Sequence, residues 1–150
     1  MELKSKTKFS KTLQSLIDIQ KDCEIPAQRT ENLKDAVDNM NLLVPVVGEF
    51  SAGKSSLLNK FIGKNILSVG MAPETAIPAE LYYSEIEYNE GVLPDGRTEK
   101  ISDVSSAASK YVCVKRYINS DYLKEIQPIV LVDMPGFDSP LDAHNKAIFN

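Results

Sequence analysis

Histidine and cysteine, the residues most often recruited for metal binding and nucleophilic catalysis, are scarce here: one histidine and two cysteines in 150 residues. Cys23 and Cys113 stand far apart, with no CxxC pair and no Cys/His cluster, which removes a zinc site and a disulfide framework. Both are expected as reduced thiols in the core. His144 lies in Pro140 to Lys146, at an expected helix start, and reads as a solvated surface residue, so no Ser/His/Asp arrangement is supported. Positive charge is not in excess either. Lys+Arg 17 against Asp+Glu 21 gives a net charge of -4, with no clustered basic face to neutralise duplex phosphates, so nucleic acid is excluded as the main partner. No apolar run approaches the roughly 20 residues of a spanning helix. Asp18 interrupts the stretch at Leu16 and Ile17 before it reaches signal-peptide length. The expected compartment is the cytosol.

What is present suits an ordinary globular domain, with 43% hydrophobic residues and no inflated residue type. Residues 1–43 read as two amphipathic helices: Phe9, Leu13, Leu16 and Ile17 recur at helical spacing, and after Pro26 so do Leu33, Ala36, Val37 and Met40. Seven basic and seven acidic residues balance there, so the whole negative charge lies in residues 44–150, which supports a boundary near residue 43. Lys4, Lys6, Lys8 and Lys11 read as a solvated helix end, the rival being an anionic membrane surface.

From Leu42 to Val47 the chain is apolar and β-branched, then passes a glycine-bearing loop into a helix carrying Leu57, Leu58, Phe61 and Ile62 and stopping at Gly63. Ala79 to Tyr88 reads as a strand. Pro94-Asp95-Gly96, followed by Thr98 to Ile101, marks a hairpin. A helix capped by Ser102 is expected to run to about Tyr111, with a strand over 112–118. Ile129 to Val132 is short and wholly apolar, the pattern of a strand buried on both faces of a parallel sheet, and it delivers Asp133 at its carboxyl end. Tyr82, Tyr83 and Tyr88 are expected to pack on the sheet, and Glu85, Glu87 and Glu90 to form a solvated strand face.

The chemistry concentrates in Gly48-Glu49-Phe50-Ser51-Ala52-Gly53-Lys54-Ser55, a full GxxxxGK[ST] match between an expected strand and an expected helix. Glycines let backbone N–H groups surround phosphate oxygens, while the helix directs its positive dipole end at the same charge. Lys54 should reach the β and γ phosphates, and the Ser55 hydroxyl should ligate Mg²⁺. Asp133-Met134-Pro135-Gly136 supplies a second element: the carboxylate can hold Mg²⁺ through water, and the Gly136 amide can donate to a γ-phosphate. Between them, Ala72 to Pro78 carries Thr75, 21 residues after Lys54. Its hydroxyl and carbonyl could close over metal and γ-phosphate. By local chemistry alone the segment reads equally as a plain linker.

Gly48 to Ser56, the Leu-Leu-Asn-Lys-Phe-Ile-Gly continuation to Gly63, Pro-Glu-Thr-Ala at 73–76 and Asp-Met-Pro-Gly at 133–136 together resemble the dynamin superfamily of large GTPases, its bacterial branch in particular. The resemblance covers residues 44 to about 140. It implies nucleotide contacts along Gly48, Glu49, Phe50, Ser51, Ala52, Gly53, Lys54, Ser55 and Ser56, and at Gly136. It also implies catalytic roles for Ser51, which helps organise a charge-compensating monovalent cation, and for Thr75, which positions Mg²⁺ and the attacking water; the metal set is then Ser55, Thr75 and Asp133. Phe50 stands where eukaryotic dynamins carry a catalytic glutamine, as it does in many bacterial relatives. Residues 1–43 fit the family's stalk-associated bundle.

The fold class expected is α/β: a three-layer P-loop GTPase fold, truncated and preceded by two amphipathic helices. The chain stops at Asn150, before any Asn/Thr-Lys-x-Asp stretch that would read guanine, so it is expected to be an N-terminal fragment that is inactive alone. The implied function of the parent is GTP hydrolysis to GDP and phosphate, coupled to self-association or membrane remodelling, with peripheral membrane contact. Two rivals are a translation or ribosome-assembly GTPase and a non-enzymatic interaction module using the loop as a structural anion site. The 79 residues separating Lys54 from Asp133 and the helices at 1–43 favour the dynamin-like version.

Overall fold

The computed structural model describes residues 3–49, 51–67, 77–102, 104 and 109–136. The chain divides into two compact units, Met1–Leu42 and Leu43–Asn150. The first is a helical hairpin of α1 (Lys4–Asp22) and α2 (Gln28–Asp38). Leu13, Ile17 and Ala27 are buried at its centre. Phe9 and Leu16 flank that stripe but are exposed, and so are Leu33 and Met40 of the second apolar set, because two helices alone cannot cover so wide an apolar face. Lys6 is not simply solvated: its ammonium donates to the carbonyls of Asp38 (2.8 Å) and Met40 (3.1 Å), where α2 ends with unpaired acceptors.

The second unit is built on a six-stranded sheet of order β1-β6-β2-β5-β3-β4. Its strands are β1 (Leu42–Val46), β2 (Ala79–Tyr83), β3 (Tyr88–Val92), β4 (Thr98–Ile101), β5 (Cys113–Ile118) and β6 (Ile129–Asp133). β2 runs parallel to β5, and β3 is antiparallel to both β4 and β5. The hairpin turns at Asp95-Gly96 as the sequence indicates, but its first strand is β3 and not the expected Ala79 to Tyr88 run, which breaks after Tyr83 where residues 84–87 turn the chain. The surroundings of β6 differ from expectation. It pairs with β2 antiparallel, with Leu81 opposite Leu131, and Ile129 and Leu131 are only half-buried. A short apolar run does not by itself distinguish the two pairings.

Two helices, α3 (Lys54–Ile62) and α4 (Asp121–Ile126), pack on one face of the sheet. Leu58, Ile62, Leu67, Leu81, Ile118 and Leu123 form the main core there. α4 had no strong sequence signal because six residues are too few for periodicity to show. The Ser120 hydroxyl donates to the Ile62 carbonyl (2.9 Å), joining the end of α3 to the start of α4. Gly63 ends α3 in the left-handed region (φ 77°), as the sequence predicts. The opposite sheet face carries a stacked row, Tyr82 on Tyr117 (5.2 Å between centroids) and Tyr117 on Tyr88 (4.2 Å), which meets the expectation that tyrosines pack on the sheet.

The acidic run is solvated only in part and is not one strand face: Glu85 and Glu87 are exposed in the turn between β2 and β3, and Glu90 lies on β3. Glu87 pairs with Lys64 (2.5 Å) and accepts the Asn119 amide (3.1 Å), and half-buried Glu90 accepts the Tyr117 hydroxyl (3.3 Å). The cysteines also depart from expectation. Cys23 is exposed after α1, and Cys113 is part-buried, its thiol pushed up to about 12 by burial and by the nearby Glu80 carboxylate. Most of the helix expected after Ser102, and His144, fall outside the described residues.

Gly91, in the middle of β3, has a steric reason to be glycine. A Cβ there would lie 2.5 Å from the Tyr111 ring, whose hydroxyl bonds Glu99 on the neighbouring strand. Gly91→Ala should therefore destabilise this unit by about 1–3 kcal/mol, the usual cost of overpacking. Urea unfolding followed by tyrosine fluorescence checks it, and an unchanged midpoint would show that Tyr111 moves aside freely.

Candidate functional site

The site begins where β1 ends. Val46 accepts a hydrogen bond from Met134 N (3.4 Å), so the loop leaving β1 and the Asp-Met-Pro-Gly segment leaving β6 start side by side. Between β1 and α3 the chain turns sharply, with Ala52 N donating to Glu49 O (3.2 Å) and Leu57 N to Gly53 O (2.8 Å). Gly53 adopts φ 84°, and a Cβ there would meet nothing within 4 Å, so the backbone angle, not space, requires glycine. Gly48 is different: a Cβ would make ordinary contacts with the Lys54 side chain at 3.7 Å and Ala52 at 3.8 Å. Ser51 also takes a positive φ (60°), a conformation that costs a non-glycine residue about 1 kcal/mol or more and concentrates at ligand-binding loops.

Lys54 curls over its own loop, its ammonium donating to the carbonyls of Gly48 (3.0 Å) and Glu49 (2.9 Å). Its charge is thereby held at the N-terminus of α3, where the first backbone N–H groups have no partner within the helix. Ser55, one residue on, donates through Oγ to Asp133 Oδ2 at 2.7 Å, a contact spanning 78 positions of sequence. Asp133 is buried, and its Oδ1 has no hydrogen-bond partner among the described residues. Burial raises the Asp133 carboxyl above the ordinary aspartate value, only partly offset by the Ser55 hydroxyl and by the charges of Lys54 and Arg116. Pro135 and Gly136 beyond it are buried as well.

The structure thus brings together Gly48, Glu49, Ser51, Ala52, Gly53, Lys54, Ser55, Ser56, Asp133 and Gly136 as one loop, one helix start and one strand end. Phe50 and Thr75 lie outside the described residues. One residue of this region carried no functional reading from sequence: Asn59, a buried polar side chain between Leu58 and Ile62 on the inner face of α3. Its only signal was a polar type at an apolar-face position.

The donor set suits a hard divalent cation. The serine hydroxyl and the buried carboxylate are oxygen ligands of the kind Mg²⁺ takes, and the orphaned Asp133 Oδ1 is an acceptor that a cation or its water would satisfy. Among the described residues no group of three or more His, Cys, Asp or Glu side chains could hold a metal.

The dynamin family model matches residues 44–150. The chain belongs to the dynamin family. It is similar to Dynamin-like protein 2 of Campylobacter jejuni, 29% identical over 114 residues, covering 71% of this chain and 19% of that protein. It is also similar to the probable transmembrane GTPase FZO-like, chloroplastic, of Arabidopsis thaliana, 34% identical over 110 residues, covering 69% of this chain and 10% of that one. A solved structure of an oligomerised bacterial dynamin pair matches with a TM-score of 0.51 and 26% identity over 83% of this chain and 22% of its own. That assembly is described as a mechanism for the long range sensing and tethering of membranes. The chain therefore spans about a fifth or less of the length of these relatives. Its α/β fold is that of a dynamin-type P-loop GTPase domain in part. No helix among the described residues is long and apolar enough to cross a membrane.

Because burial raises the Asp133 carboxyl, its ionised form is a cost to the folded state. The protein's stability from this group is then complete below the unfolded value of about 3.9 and is lost as pH rises through the higher folded value. At pH 7, free of nucleotide and metal, Asp133→Asn should melt at or above the wild-type temperature, and the difference should vanish below about pH 4. Calorimetric melting in chelator across that range checks it. A neutral variant that melts well below wild type at pH 7 would show that the charge stabilises the fold.

Proposed function

We propose that the protein to which this chain belongs binds GTP with Mg²⁺ and hydrolyses it to GDP and phosphate, using the nucleotide state to control self-association at a membrane surface. The observation that carries this reading is the Ser55–Asp133 pair: a hydroxyl at the start of α3 and a buried carboxylate at the end of β6, 2.7 Å apart, with one carboxylate oxygen unpartnered among the described residues. In this reading the backbone N–H groups from Gly48 to Ser56 surround the phosphates, and the N-terminus of α3 adds its partial positive charge. Lys54 exchanges its loop carbonyls for phosphate oxygens, trading neutral acceptors for charged ones, which are roughly twice as strong. Ser55, Asp133 and Thr75 would hold Mg²⁺, which when bound offsets the charge that develops on the phosphate oxygens.

Ser51 and Thr75 are the catalytic candidates. Thr75 orients the attacking water, and Ser51, exposed on the loop, supports a monovalent cation that stands in for an arginine finger. The Gly136 amide donates to the γ-phosphate and reports its loss. Support for the assembly half comes from the oligomerised, membrane-tethering bacterial dynamin pair to which the chain is similar. In this reading the helical hairpin of residues 4–38 belongs with the stalk, and the protein is cytoplasmic with peripheral membrane contact.

Lys54→Ala should abolish nucleotide binding and leave the fold intact, since the side chain is half-exposed and opens no core cavity. Titration calorimetry of the full-length variant with a non-hydrolysable GTP analogue measures this, and wild-type affinity in a folded variant would reject the loop's role.

Thr75→Ala should separate binding from chemistry, with GDP affinity nearly unmoved and turnover down by roughly 100-fold or more. Multiple-turnover phosphate release is the readout. An unchanged rate returns Thr75 to the linker reading, and no turnover even in the wild-type full-length protein would favour a non-enzymatic anion site.

A further inference from the structure

The sheet face opposite α3 and α4 carries more than its stacked tyrosines. The strand register sets Glu80 on β2 beside Lys115 on β5, Lys115 beside Glu90 on β3, and Glu90 beside Lys100 on β4. Across these four neighbouring strands the signs run minus, plus, minus, plus. The adjoining row on the same face is Tyr82, Tyr117 and Tyr88. Lys100 is exposed, and the other three charged residues are half-buried.

Cross-strand neighbours on one face lie about 5 Å apart, close enough for opposite charges to pair. Yet none of these four forms an ion pair among the described residues. The carboxylates accept tyrosine hydroxyls instead, Glu80 from Tyr82 (2.7 Å) and Glu90 from Tyr117 (3.3 Å). The ammonium groups lie over aromatic rings, Lys100 over Tyr88 (4.8 Å from the centroid) and Lys115 over Tyr82 (5.9 Å). Neutral partners therefore hold the charges in place and leave their attraction for an ion of opposite sign unspent.

An alternating row of this kind is complementary to itself. When two copies meet face to face about a two-fold axis parallel to the strands, the axis reverses the order of the row. With the axis between β5 and β3, Glu80 faces Lys100 of the second copy and Lys115 faces its Glu90, each contact made twice. The tyrosine row meets its counterpart in the same step, Tyr117 opposite Tyr88. An axis running across the strands keeps the order instead, and lays each charge on its own kind or on a tyrosine.

We propose that this face is an interface between two copies of the protein, held in register by Glu80–Lys100 and Glu90–Lys115 contacts across the two-fold axis. This names a surface for the self-association proposed above and rests on that reading. Four strands at about 4.8 Å span roughly 19 Å, and five residues of strand add about 17 Å, so the contact is smaller than the roughly 800 Å² per partner of a standard interface. It is therefore a weak contact that screens with salt, suited to a protein that assembles through several contacts at once.

The test uses the full-length protein, with Glu80→Lys, Lys100→Glu and the double exchange. Sedimentation velocity over a concentration series gives the self-association of each, and melting temperature checks its fold. Each single reversal sets like charges opposite each other twice, so association should weaken roughly tenfold or more, while the double exchange restores the opposite signs and should return it to within about threefold. Zero-length carbodiimide coupling of wild type, in a mixture of unlabelled and isotope-labelled protein, should join Glu80 of one copy to Lys100 of another. Within one chain these residues stand three strands apart, about 14 Å, too far for that link. Lys100 is exposed, so Lys100→Glu and the coupling decide the matter even if Glu80→Lys does not fold. A wild type that self-associates without forming the link, single reversals that associate as wild type does, or a double exchange that stays as weak as the singles would each overturn the interface and leave self-association standing. So would coupling of Glu80 or Lys100 only to a later segment of its own chain, which would show the face covered from within. A wild type that is monomeric at every concentration removes the self-association reading, and this proposal with it.

Discussion

Helix α3 must serve the core and the site at once, and most of the second unit follows from that double demand. Leu58, Asn59 and Ile62 are its buried inner face, so its axis is fixed against β2, β5 and α4. Lys54 and Ser55 are its first residues, so the same packing aims its unpaired N–H groups and two functional side chains at one point. The Ser55–Asp133 hydrogen bond then ties that point to β6. A rigid helix supplies accuracy, and the loop before it supplies close approach. Neither would serve alone, because a loop held only by itself would leave its N–H donors free to reorient.

The electrostatics of the site leave its own polar groups imperfectly matched. Asp133 is buried with one oxygen unpartnered among the described residues, Lys54 spends its charge on two neutral carbonyls, and Ser51 holds a left-handed backbone angle. Each is an interaction that a phosphate and a hard cation would improve. Preorganisation of this kind moves the cost of ordering and desolvation into folding, where the core around Leu81 and Leu123 offsets it.

Much of this was legible in the sequence because the signals were local. The glycine-bearing turn, its flanking strand and helix, the Gly63 stop and the turn at Asp95-Gly96 depend on residue types at fixed short spacings, and these elements are found where those spacings put them. What escaped depends on long-range partners. The antiparallel pairing of β6 is decided by β2, which lies far upstream and meets it at positions such as Leu81; nothing in its residue types separates it from a parallel neighbour. The roles of Lys6, Glu87 and Asn59 are likewise set by backbone groups that no periodicity reveals. Cys23 misled because a cysteine is buried by habit, while a helix end exposes whatever residue falls there.

The least covered part of this unit is the strand that leads into the loop. Leu42, Leu43 and Val44 are all exposed, as are Val47, Leu57 at 65% and Phe61 at 41% on the outer side of α3. Consecutive apolar residues on both faces suit a strand covered twice, yet β1 ends the described sheet and has β6 as its sole neighbour in it. Pro45 further removes one ladder donor. Elements with few buried contacts open at small free-energy cost, and β1 buries few apolar residues. A ligand held by the loop, by Lys54 and by the Ser55–Asp133 pair bridges β1, α3 and β6 at once. Present at roughly 100 times its dissociation constant, it would stabilise the bound form by about 2.7 kcal/mol. A phosphate ligand held there would brace the fold where few apolar residues are buried.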